Sequence, residues 1–288
     1  MEEATEFLDR VKNGGKLPLI TSCSPGWIKY CEHYFPDMTE NLSSCKSPQQ
    51  MFGAMYKTYY AEKAGLDPKD IVFVSCIPCT AKKFEAKLDK FKTNGVQDVD
   101  YVITTAEVGT MIHSFGIHFA ELEAEAFDMP LGFGTGAGVI FGVTGGVMEA
   151  ALRHVADKNN EALREIEYSG VRGLEGTKIA EIELGGNTLR VGIVNGLGNA
   201  DALIKKLQRG EEKLDFVEVM ACPYGCIGGA GQPFGYRSVK QDRAQGMYKA
   251  DKSAIVKRSC ENPTLINLYE NGMLKDRAHE LLHVHYGK

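Results

Sequence analysis

The sequence lacks any apolar run long enough to cross a bilayer, for which a helix needs about 20 residues. Its first residues, Met-Glu-Glu-Ala-Thr-Glu, are acidic, whereas a secretory signal is basic and then apolar. The sequence also lacks a basic stripe, since the net charge is -5 and the isoelectric point is near 5.9. These absences predict a folded cytoplasmic protein whose partners are neither membranes nor nucleic acids.

Motifs for nucleotides and for zinc proteases are absent as well. The glycine-rich stretch 131–146 contains no P-loop pattern, so close packing over a metal centre suits this loop better than nucleotide binding. The seven histidines form no HExxH pair. We expect His279, His283 and His285, near the end of the chain, at the surface or in a helix cap rather than among metal ligands.

Cysteine, by contrast, is plentiful. Eight cysteines in a chain without an export signal favour metal or redox chemistry over disulfide bonds. The length of 288 residues predicts about two domains or lobes. The hydrophobic content of 43% and the charged content of 25% are those of an ordinary globular protein. Iron-sulfur and zinc sites are therefore the first candidates.

Three predicted strands end in cysteine loops, and helical segments separate them, which favours parallel pairing. Sites in open α/β sheets form beyond the carboxyl ends of strands. We therefore predict an α/β fold of two lobes, with mostly parallel sheets flanked by helices and a metal cluster in the cleft between them. The strands and their cysteines are 17–20 with Cys23, 71–75 with Cys76 and Cys79, and 216–220 with Cys222 and Cys226.

The first predicted helix carries a row of charged side chains. Glu3, Glu6 and Arg10 are spaced three and four residues apart, so they share one helix face. Local sequence alone indicates a solvated face with an ordinary Glu6–Arg10 pair. The other predicted elements are helices at 1–11, 49–64, 106–114 and 147–158, a strand at 99–104, and a hairpin of strands 177–183 and 188–194 around 185–187.

Taken together, the cysteine loops resemble three signature motifs of one family. They read Thr-Ser-Cys-Ser-Pro-Gly-Trp at 21–27, Ile-Pro-Cys-Thr-Ala-Lys-Lys-Phe-Glu at 77–85, and the glycine-rich stretch at 218–233. This series resembles the iron-iron (FeFe) hydrogenases, and the similarity extends to Ser-Pro-Gln-Gln at 47–50 and onward to residue 280. The resemblance implies that residues 1–288 form a hydrogenase-like catalytic domain of two lobes, without the family's usual N-terminal part.

The resemblance implies a specific cofactor, the H-cluster. It consists of a 4Fe-4S cubane joined through one cysteine sulfur to a two-iron subcluster that carries carbonyl, cyanide and a bridging azadithiolate. By motif position, Cys79, Cys222 and Cys226 would ligate the cubane, with Cys226 as the bridge. Lys82 would donate to a cyanide ligand. The remaining residues expected near the cofactor are Ser47, Gln49, Met220, Gly228 and Gly229.

The resemblance also assigns a proton path. Cys23 would hand protons to the bridging amine, and Glu3, Glu6, Ser43 and Arg10 match the family's route to solvent. A series of carboxylates, a hydroxyl and a thiol within hydrogen-bonding reach suits proton delivery to a buried metal. This assignment gives the charged row of the first helix a function.

One departure from the family pattern concerns the cluster directly. Ser24 occupies the position of the fourth cubane thiolate, and a hydroxyl is a harder and far less acidic ligand than cysteine. Ser24 could coordinate as an alkoxide, Cys23 could rotate inward, or Cys76 could substitute. Near the cluster, Ile77 replaces a methionine, and Tyr224 and Ala230 replace glycines.

The implied function is reversible reduction of protons to H2, with electrons from ferredoxin or a similar small carrier. A cluster of lysines at the end of the second motif and after it could attract an acidic ferredoxin, or simply form a solvated helix face: Lys82, Lys83, Lys87, Lys90 and Lys92. Maturation proteins, and a second chain supplying the missing N-terminal part, are further expected partners. The alternative function is a non-catalytic iron-sulfur protein of the same fold, either an H2 or redox sensor or an assembly factor.

Overall fold

The structure, a computed structural model, describes residues 1–158, 170–184 and 186–287. Its helices are α1 Glu2–Asn13, α2 Pro25–Tyr34, α3 Pro48–Met55, α4 Ala61–Ala64, α5 Lys82–Glu85, α6 Thr105–Ser114, α7 Gly136–Val139, α8 Gly146–Lys158, α9 Leu197–Gln208, α10 Arg237–Ser253, α11 Pro263–Glu270 and α12 Leu274–Leu282. Its strands are β1 Leu19–Thr21, β2 Val74–Cys76, β3 Lys92–Thr93, β4 Val96–Gln97, β5 Tyr101–Ile103, β6 Thr177–Leu184, β7 Asn187–Asn195 and β8 Phe216–Met220.

The main sheet has the strand order β1-β8-β7-β6. Strand β8 pairs in parallel with both β1 and β7, and the predicted hairpin of β6 and β7 adds the antiparallel edge. All five residues of β8 are buried, since a central parallel strand is covered on both faces. Four are apolar, and the carboxylate of the fifth, Glu218, accepts the backbone N–H groups of Gly145 and Met148. The prediction of an α/β fold with parallel sheets is confirmed. Gly185 of the predicted turn lies outside the described residues.

Helices cover both faces of this sheet, because alternate strand residues point to opposite sides. On one face, Phe7 of α1 stacks on Phe216 with ring centroids 4.9 Å apart, and α8 adds Met148 and Leu152. On the other face, Trp27 of α2 packs with Val217 and residues of α9. Full burial of one such aromatic side chain stabilises the fold by roughly 1.5–3 kcal/mol. Packing of α1 on the sheet therefore fixes its charged face relative to the strand ends.

The second sheet is smaller than the sequence predicts. Strands β2 and β5 pair in parallel over three residues each, although strands were predicted at 71–75 and 99–104. The Asp100 carboxylate accepts a hydrogen bond from the backbone N–H of Phe73 at 2.6 Å. Just before β2, this N–H is therefore bonded to a side chain rather than to a backbone carbonyl of the neighbouring strand. Val74 and Tyr101 are 48% and 65% exposed, so one face of this pair is open in the described chain.

The predicted helix at 49–64 is continuous but not uniform. Helix α3 begins with Pro48 at its first position, passes into a π-helical segment, Tyr56–Tyr60, and continues as α4 to Gly65, which adopts a left-handed conformation. The first turn of α3 buries Gln49 and Gln50 in the direction of the second cysteine motif. This helix therefore delivers amide groups to the candidate site.

Candidate metal centre and proton relay

The three cysteine loops converge on one cavity of about 300 Å³. Cys222 and Cys23 follow the adjacent strands β8 and β1, and Cys79 follows β2 of the other sheet. Cys226 lines the same cavity from the loop after β8. All of these positions lie beyond the carboxyl ends of parallel strands, as predicted. Thiolates are the soft ligands that iron-sulfur clusters prefer, so the donor set fits such a cluster.

The loop from Cys222 to Gly229 needs its glycines for close approach. A side chain at Gly229 would clash with the carbonyl of Pro78, and one at Gly228 would clash with the carbonyl of Pro223. Tyr224 has a φ of 70°, which is unusual for a residue with a side chain, and its N–H donates to the Asn195 side chain at 2.8 Å. The two cysteine loops are therefore packed backbone to backbone at the cavity.

Two residues at the cavity are candidates for the fourth cubane ligand. Ser24 lines the cavity, and its side chain does not cap α2. Cys23 lines it too, and a hydrogen bond between its thiol and that of Cys226 lowers the pKa of Cys23 to about 6 despite burial. Cys76 is exposed and does not occur among the described residues that line the cavity. The structure thus brings Ser24 and Cys23 to the site and leaves Cys76 outside it.

Lys82 is buried at the cavity and is held by a carboxylate that the sequence analysis overlooked. Its Nζ is 2.8 Å from Glu85 Oε1 and donates to the carbonyl of Cys23. Glu85 also accepts hydrogen bonds from Ser47 Oγ at 2.8 Å and from Gln49 Nε2 at 2.7 Å. The buried ammonium thus has a counter-charge that is itself fully hydrogen-bonded. The final position of the second motif, Glu85, was the available signal.

The remaining expected cofactor contacts also lie at this site. Met220, at the end of β8, and Gly229 line the cavity, and Gly228 lies beside them in the short helical turn that follows Cys226. The walls of the cavity are otherwise largely apolar, with Ile77, Phe141 and Met247 among them. An apolar, enclosed site strengthens the interaction of a charged group with the few polar atoms that face it.

The charged row of α1 is not a solvated face. Glu3 is half-buried, and burial of its carboxyl raises its pKa to about 7, although the Ser43 and Thr21 hydroxyls beside it oppose the shift. Ser43 Oγ also donates to Glu6 Oε2 at 3.1 Å. Glu6 pairs with Arg10, whose Nη2 lies 2.5 Å from Glu6 Oε1. Ser43 therefore lies between Glu3 and the Glu6–Arg10 pair. The predicted Glu6–Arg10 pair is confirmed, but the solvated face is wrong, because Ser43 and Thr21, distant in the chain, pack beside it.

This polar series reaches the cysteines through a second cavity, of about 440 Å³, which both Glu3 and Cys23 line. One Glu3 oxygen, Oε2, is buried and has no hydrogen-bond partner among the described residues. An uncompensated buried carboxylate oxygen is costly, so it marks a place where a proton or a hydrogen-bond donor belongs. All residues assigned to the proton path are therefore brought to one region.

His283 is the C-terminal cap residue of α12, in agreement with the predicted surface or cap position. Its side chain is only 8% exposed, and it lies between Ser44 Oγ, 2.7 Å from Nδ1, and Glu2 Oε2, 2.8 Å from Nε2. His279 and His285 are exposed, as predicted. Sequence reasoning missed Ser44 and Glu2 as well, because a hydrogen-bond chain between residues 2, 44 and 283 has no local signature.

Comparisons with known proteins agree with this site. Residues 1–230 match the family model described as iron only hydrogenase large subunit, C-terminal domain, and residues 237–288 match the one described as iron hydrogenase small subunit. A solved apo FeFe-hydrogenase HydA1 from Chlamydomonas reinhardtii superposes with a TM-score of 0.87 at 43% identity, covering all of this chain and 81% of that one.

Among curated relatives, the NADP-reducing hydrogenase subunit HndD of Solidesulfovibrio fructosivorans is 48% identical over 100% of this chain and 51% of its own length. The cytosolic iron-sulfur assembly component 3 of Mus musculus is 30% identical over 99% of this chain and 63% of its own. The chain thus spans about half the length of the hydrogenase subunit that it matches. No helix among the described residues has the length and apolar character needed to cross a membrane.

Proposed function

Because the chain belongs to the family of the iron only hydrogenase large subunit, C-terminal domain, we propose that it catalyses the reversible reduction of protons to H2. One observation carries this proposal: Glu3, Ser43, Glu6 and Arg10 lie in a row, and Glu3 lines one cavity together with Cys23, which also lines the cavity of the cluster thiols. A protein that only stores or transfers a cubane has no need of such a series. We treat residues 1–288 as one catalytic domain.

The residues present fit an H-cluster. Cys79, Cys222 and Cys226 would hold the cubane, and Lys82 would face an anionic ligand of the two-iron subcluster. Among the solved FeFe hydrogenases that this chain resembles, one structure concerns stepwise H-cluster assembly and another concerns degradation of the 2Fe subcluster of the H cluster. When bound, this group would relay electrons to and from the external carrier and would supply the iron site at which protons and H2 interconvert. We propose that Ser24 provides the fourth cubane ligand through oxygen, which leaves Cys23 free for proton transfer.

The chain's own groups suit proton transfer in both directions. A carboxyl with a pKa near 7 both gives and takes a proton readily at neutral pH, and Glu3 has this property because it is buried. Ser43 Oγ links Glu3 to Glu6, and Arg10 holds Glu6 in place with two hydrogen bonds. Cys23 would pass the proton between Glu3 and the cofactor, across the cavity that both line.

Infrared spectroscopy of the anaerobically purified, matured protein tests the proposal. We expect bands of metal-bound carbonyl and cyanide that shift under H2, because those ligands belong to the two-iron subcluster. The Cys226→Ala variant, which removes the bridging thiolate, should lack the bands and serves as the matched control. Iron and sulfide without such bands would rule out the hydrogenase function and leave a cubane carrier.

That outcome would favour the second candidate function, a non-catalytic iron-sulfur protein. The 30% identity to an iron-sulfur assembly component and the oxygen ligand at Ser24 support this alternative. The hydrogenase function remains ahead because Glu3, Ser43, Glu6 and Arg10 are all present and connected.

The electron donor is proposed to be ferredoxin or a similar carrier. Three of the lysines after the second motif are paired with acids, Lys83 with Glu107, Lys90 with Glu32 and Lys92 with Asp89, which reduces their attraction for an acidic partner. Exchanging Lys87, Lys90 and Lys92 for glutamine should weaken the salt dependence of reduction by ferredoxin if the partner docks there. An unaltered salt dependence would move the docking site elsewhere.

The remaining partners and the location are also proposals. Maturation proteins would insert the two-iron subcluster, and a second chain or further segment would cover the open face of β2 and β5. A cytoplasmic location is supported by the cysteines, all eight of which are free thiols.

A further inference from the structure

A second polar series leaves Glu6 in the opposite direction from Glu3. Ser44 Oγ donates to Glu6 Oε2 at 3.0 Å, and the backbone N–H of Ser44 donates to the same oxygen at 3.0 Å. Ser44 Oγ lies 2.7 Å from His283 Nδ1, and His283 Nε2 lies 2.8 Å from Glu2 Oε2. Tyr269 Oη donates to the other Glu2 oxygen at 2.5 Å. A continuous hydrogen-bonded arm therefore joins Glu6 to Glu2.

The backbone holds this arm in place. Cys45 and His283 form an isolated antiparallel bridge, in which the Lys46 N–H donates to Leu282 O at 2.8 Å and the Val284 N–H donates to Ser44 O at 2.7 Å. The imidazole is thus fixed against Ser44 although 239 positions separate the two residues. A fixed donor and acceptor need little rearrangement before a proton moves between them.

The number of available protons determines the charge of the ring. A serine hydroxyl carries one proton, and Ser44 gives it to Glu6, so the bond between Ser44 and Nδ1 needs a proton on Nδ1. Burial raises the pKa of Glu2, but hydrogen bonds from His283 and Tyr269 outweigh this effect and leave the pKa below its usual value. Glu2 is then a carboxylate that accepts the Nε2 proton. Every hydrogen bond of this network is satisfied when both ring nitrogens of His283, which lies between two carboxylates, carry a proton.

A metal ion is the competing occupant of this cluster. The ligand atoms of Glu6, Cys45 and His283 lie within 4.8 Å of one another. Both ring nitrogens, however, already bond Ser44 and Glu2, so a metal would have to displace one of them. Burial, followed by the nearby Glu3, keeps the pKa of the Cys45 thiol well above its usual value, which disfavours a thiolate ligand. The groups around the ring favour a stored proton over a cation.

We propose that His283 is a proton reservoir for the relay, connected to Glu6 through the Ser44 hydroxyl. In one transfer, Nδ1 gives its proton to Ser44 Oγ while Ser44 gives its own to Glu6. The products are a neutral imidazole and a Glu6 carboxylic acid, and the reverse transfer reloads the ring. Formation of H2 consumes two protons, and the reservoir keeps one of them two hydrogen bonds from Glu6. This inference rests on the proposed function.

The groups that face the ring define the controls. Glu2 and Glu6 of α1, Tyr269 of α11 and the Cys45 thiol surround it, and His279 of α12 stacks on it at 4.9 Å between ring centroids. His279 is exposed and lies outside the arm, so His279→Gln is a matched control. His283→Gln removes the charge but keeps an amide in place, and Ser44→Ala breaks the link while keeping the ring.

The first measurement is the ring nitrogen NMR of the whole protein labelled with 15N-histidine. We expect a proton on both His283 ring nitrogens in the parent protein and loss of the Nδ1 proton in Glu6→Gln, because one of the two neighbouring negative charges is lost. A parent ring with a proton on only one nitrogen, or a ring with the same protons in Glu6→Gln, would overturn the reservoir. A metal at Glu6, Cys45 and His283 would be detected as a bound ion in the same samples and would also overturn it.

The second measurement is H2 evolution by the matured protein with reduced methyl viologen. We expect His283→Gln and Ser44→Ala each to lose roughly threefold to tenfold in rate, less than the 10²- to 10⁴-fold typical of an obligatory general acid. Cluster iron and infrared bands should stay unchanged, and His279→Gln should match the parent protein. Parent-like rates in both relay variants would refute the reservoir alone. Absence of H2 evolution by the parent protein would refute the proposed function. The nitrogen NMR would still test separately whether His283 carries the stored proton.

Discussion

The cluster cavity and the proton relay adjoin each other and share Cys23, but they are assembled from different kinds of sequence. Each thiol of the cavity belongs to a short loop that follows a strand, so the ligand and the element that positions it are neighbours in the chain. The relay is built from three segments that are distant in the chain. The first contributes Glu3 and Glu6, the second Ser43 and Ser44, and the third His283. Local patterns therefore indicate the cavity, whereas the relay is defined by packing.

The two regions also differ in what would disrupt them. The cavity depends on atoms that coordinate, so the loss of one thiolate should abolish the site. The relay depends on groups that exchange protons, so the loss of one group should slow the reaction while the fold persists or even gains stability. The following predictions test this contrast, beginning with the largest effect.

Removal of one cluster thiolate should have the largest effect. In Cys222→Ala we expect cluster iron and sulfide to fall to background and H2 evolution to drop by more than about 10³-fold, because cubanes in proteins are held by cysteine thiolates. Iron analysis and the visible absorption of the purified protein measure the loss. Cys76→Ala, at an exposed thiol outside the cavity, is the control and should retain both. A fully loaded Cys222→Ala protein would contradict the ligand assignment.

Glu3→Gln should separate activity from stability. We expect H2 evolution to fall by roughly 10²-fold or more, because the amide has no proton to exchange. The folded pKa of Glu3 is about 7 against an ordinary value of 4.5, so its contribution to stability is complete below pH 4.5 and is lost as the pH rises through 7. The variant should therefore gain up to about 3 kcal/mol in unfolding free energy at pH 8, at 1.36 kcal/mol per pKa unit.

Chemical denaturation of Glu3→Gln and the parent at pH 4.5 and pH 8 measures this difference. The gain should be present at pH 8 and absent at pH 4.5. The same pKa predicts that H2 evolution by the parent declines as the pH rises through about 7, while H2 oxidation, which needs an unprotonated acceptor, increases. Equal unfolding free energies of the two proteins at pH 8 would show that the ionised Glu3 carboxylate does not destabilise the folded protein, and would contradict the raised pKa.

Restoring a thiol at the fourth ligand position should have the smallest effect. In Ser24→Cys we expect the cluster to resist loss to an iron chelator about twofold to tenfold longer, because thiolate is the softer and better ligand for iron. Activity should change little, since Cys23 remains in the relay. If Ser24→Ala holds its cluster as well as the parent does, Ser24 is not a ligand, and Cys23→Ala then tests whether that thiol has rotated inward.

Much of the framework could be predicted from local sequence. The alternation of strands and helices, the helix predicted at 49–64 and the buried strand Phe216–Met220 follow from periodicity and end signals that neighbouring residues supply, whereas the π-helical segment within that helix was not predicted. Strand β2 is shorter than predicted because the Asp100 side chain, 27 residues away, bonds the backbone of Phe73. Glu85 was part of a quoted motif, yet its role needs Ser47 and Gln49 from another helix.

The sequence by itself determined where the thiols would stand, because a strand, the turn that ends it and a cysteine within that turn are fixed by adjacent residues. Only the tertiary structure decided which side chains face each other across the chain. It buried Glu3 Oε2 without a partner among the described residues, left Cys76 exposed, and brought His283, at the end of α12, into contact with Ser44 and Glu2. The reason is physical: hydrogen bonds act over about 3 Å, so they depend on the packed orientation of residues hundreds of positions apart.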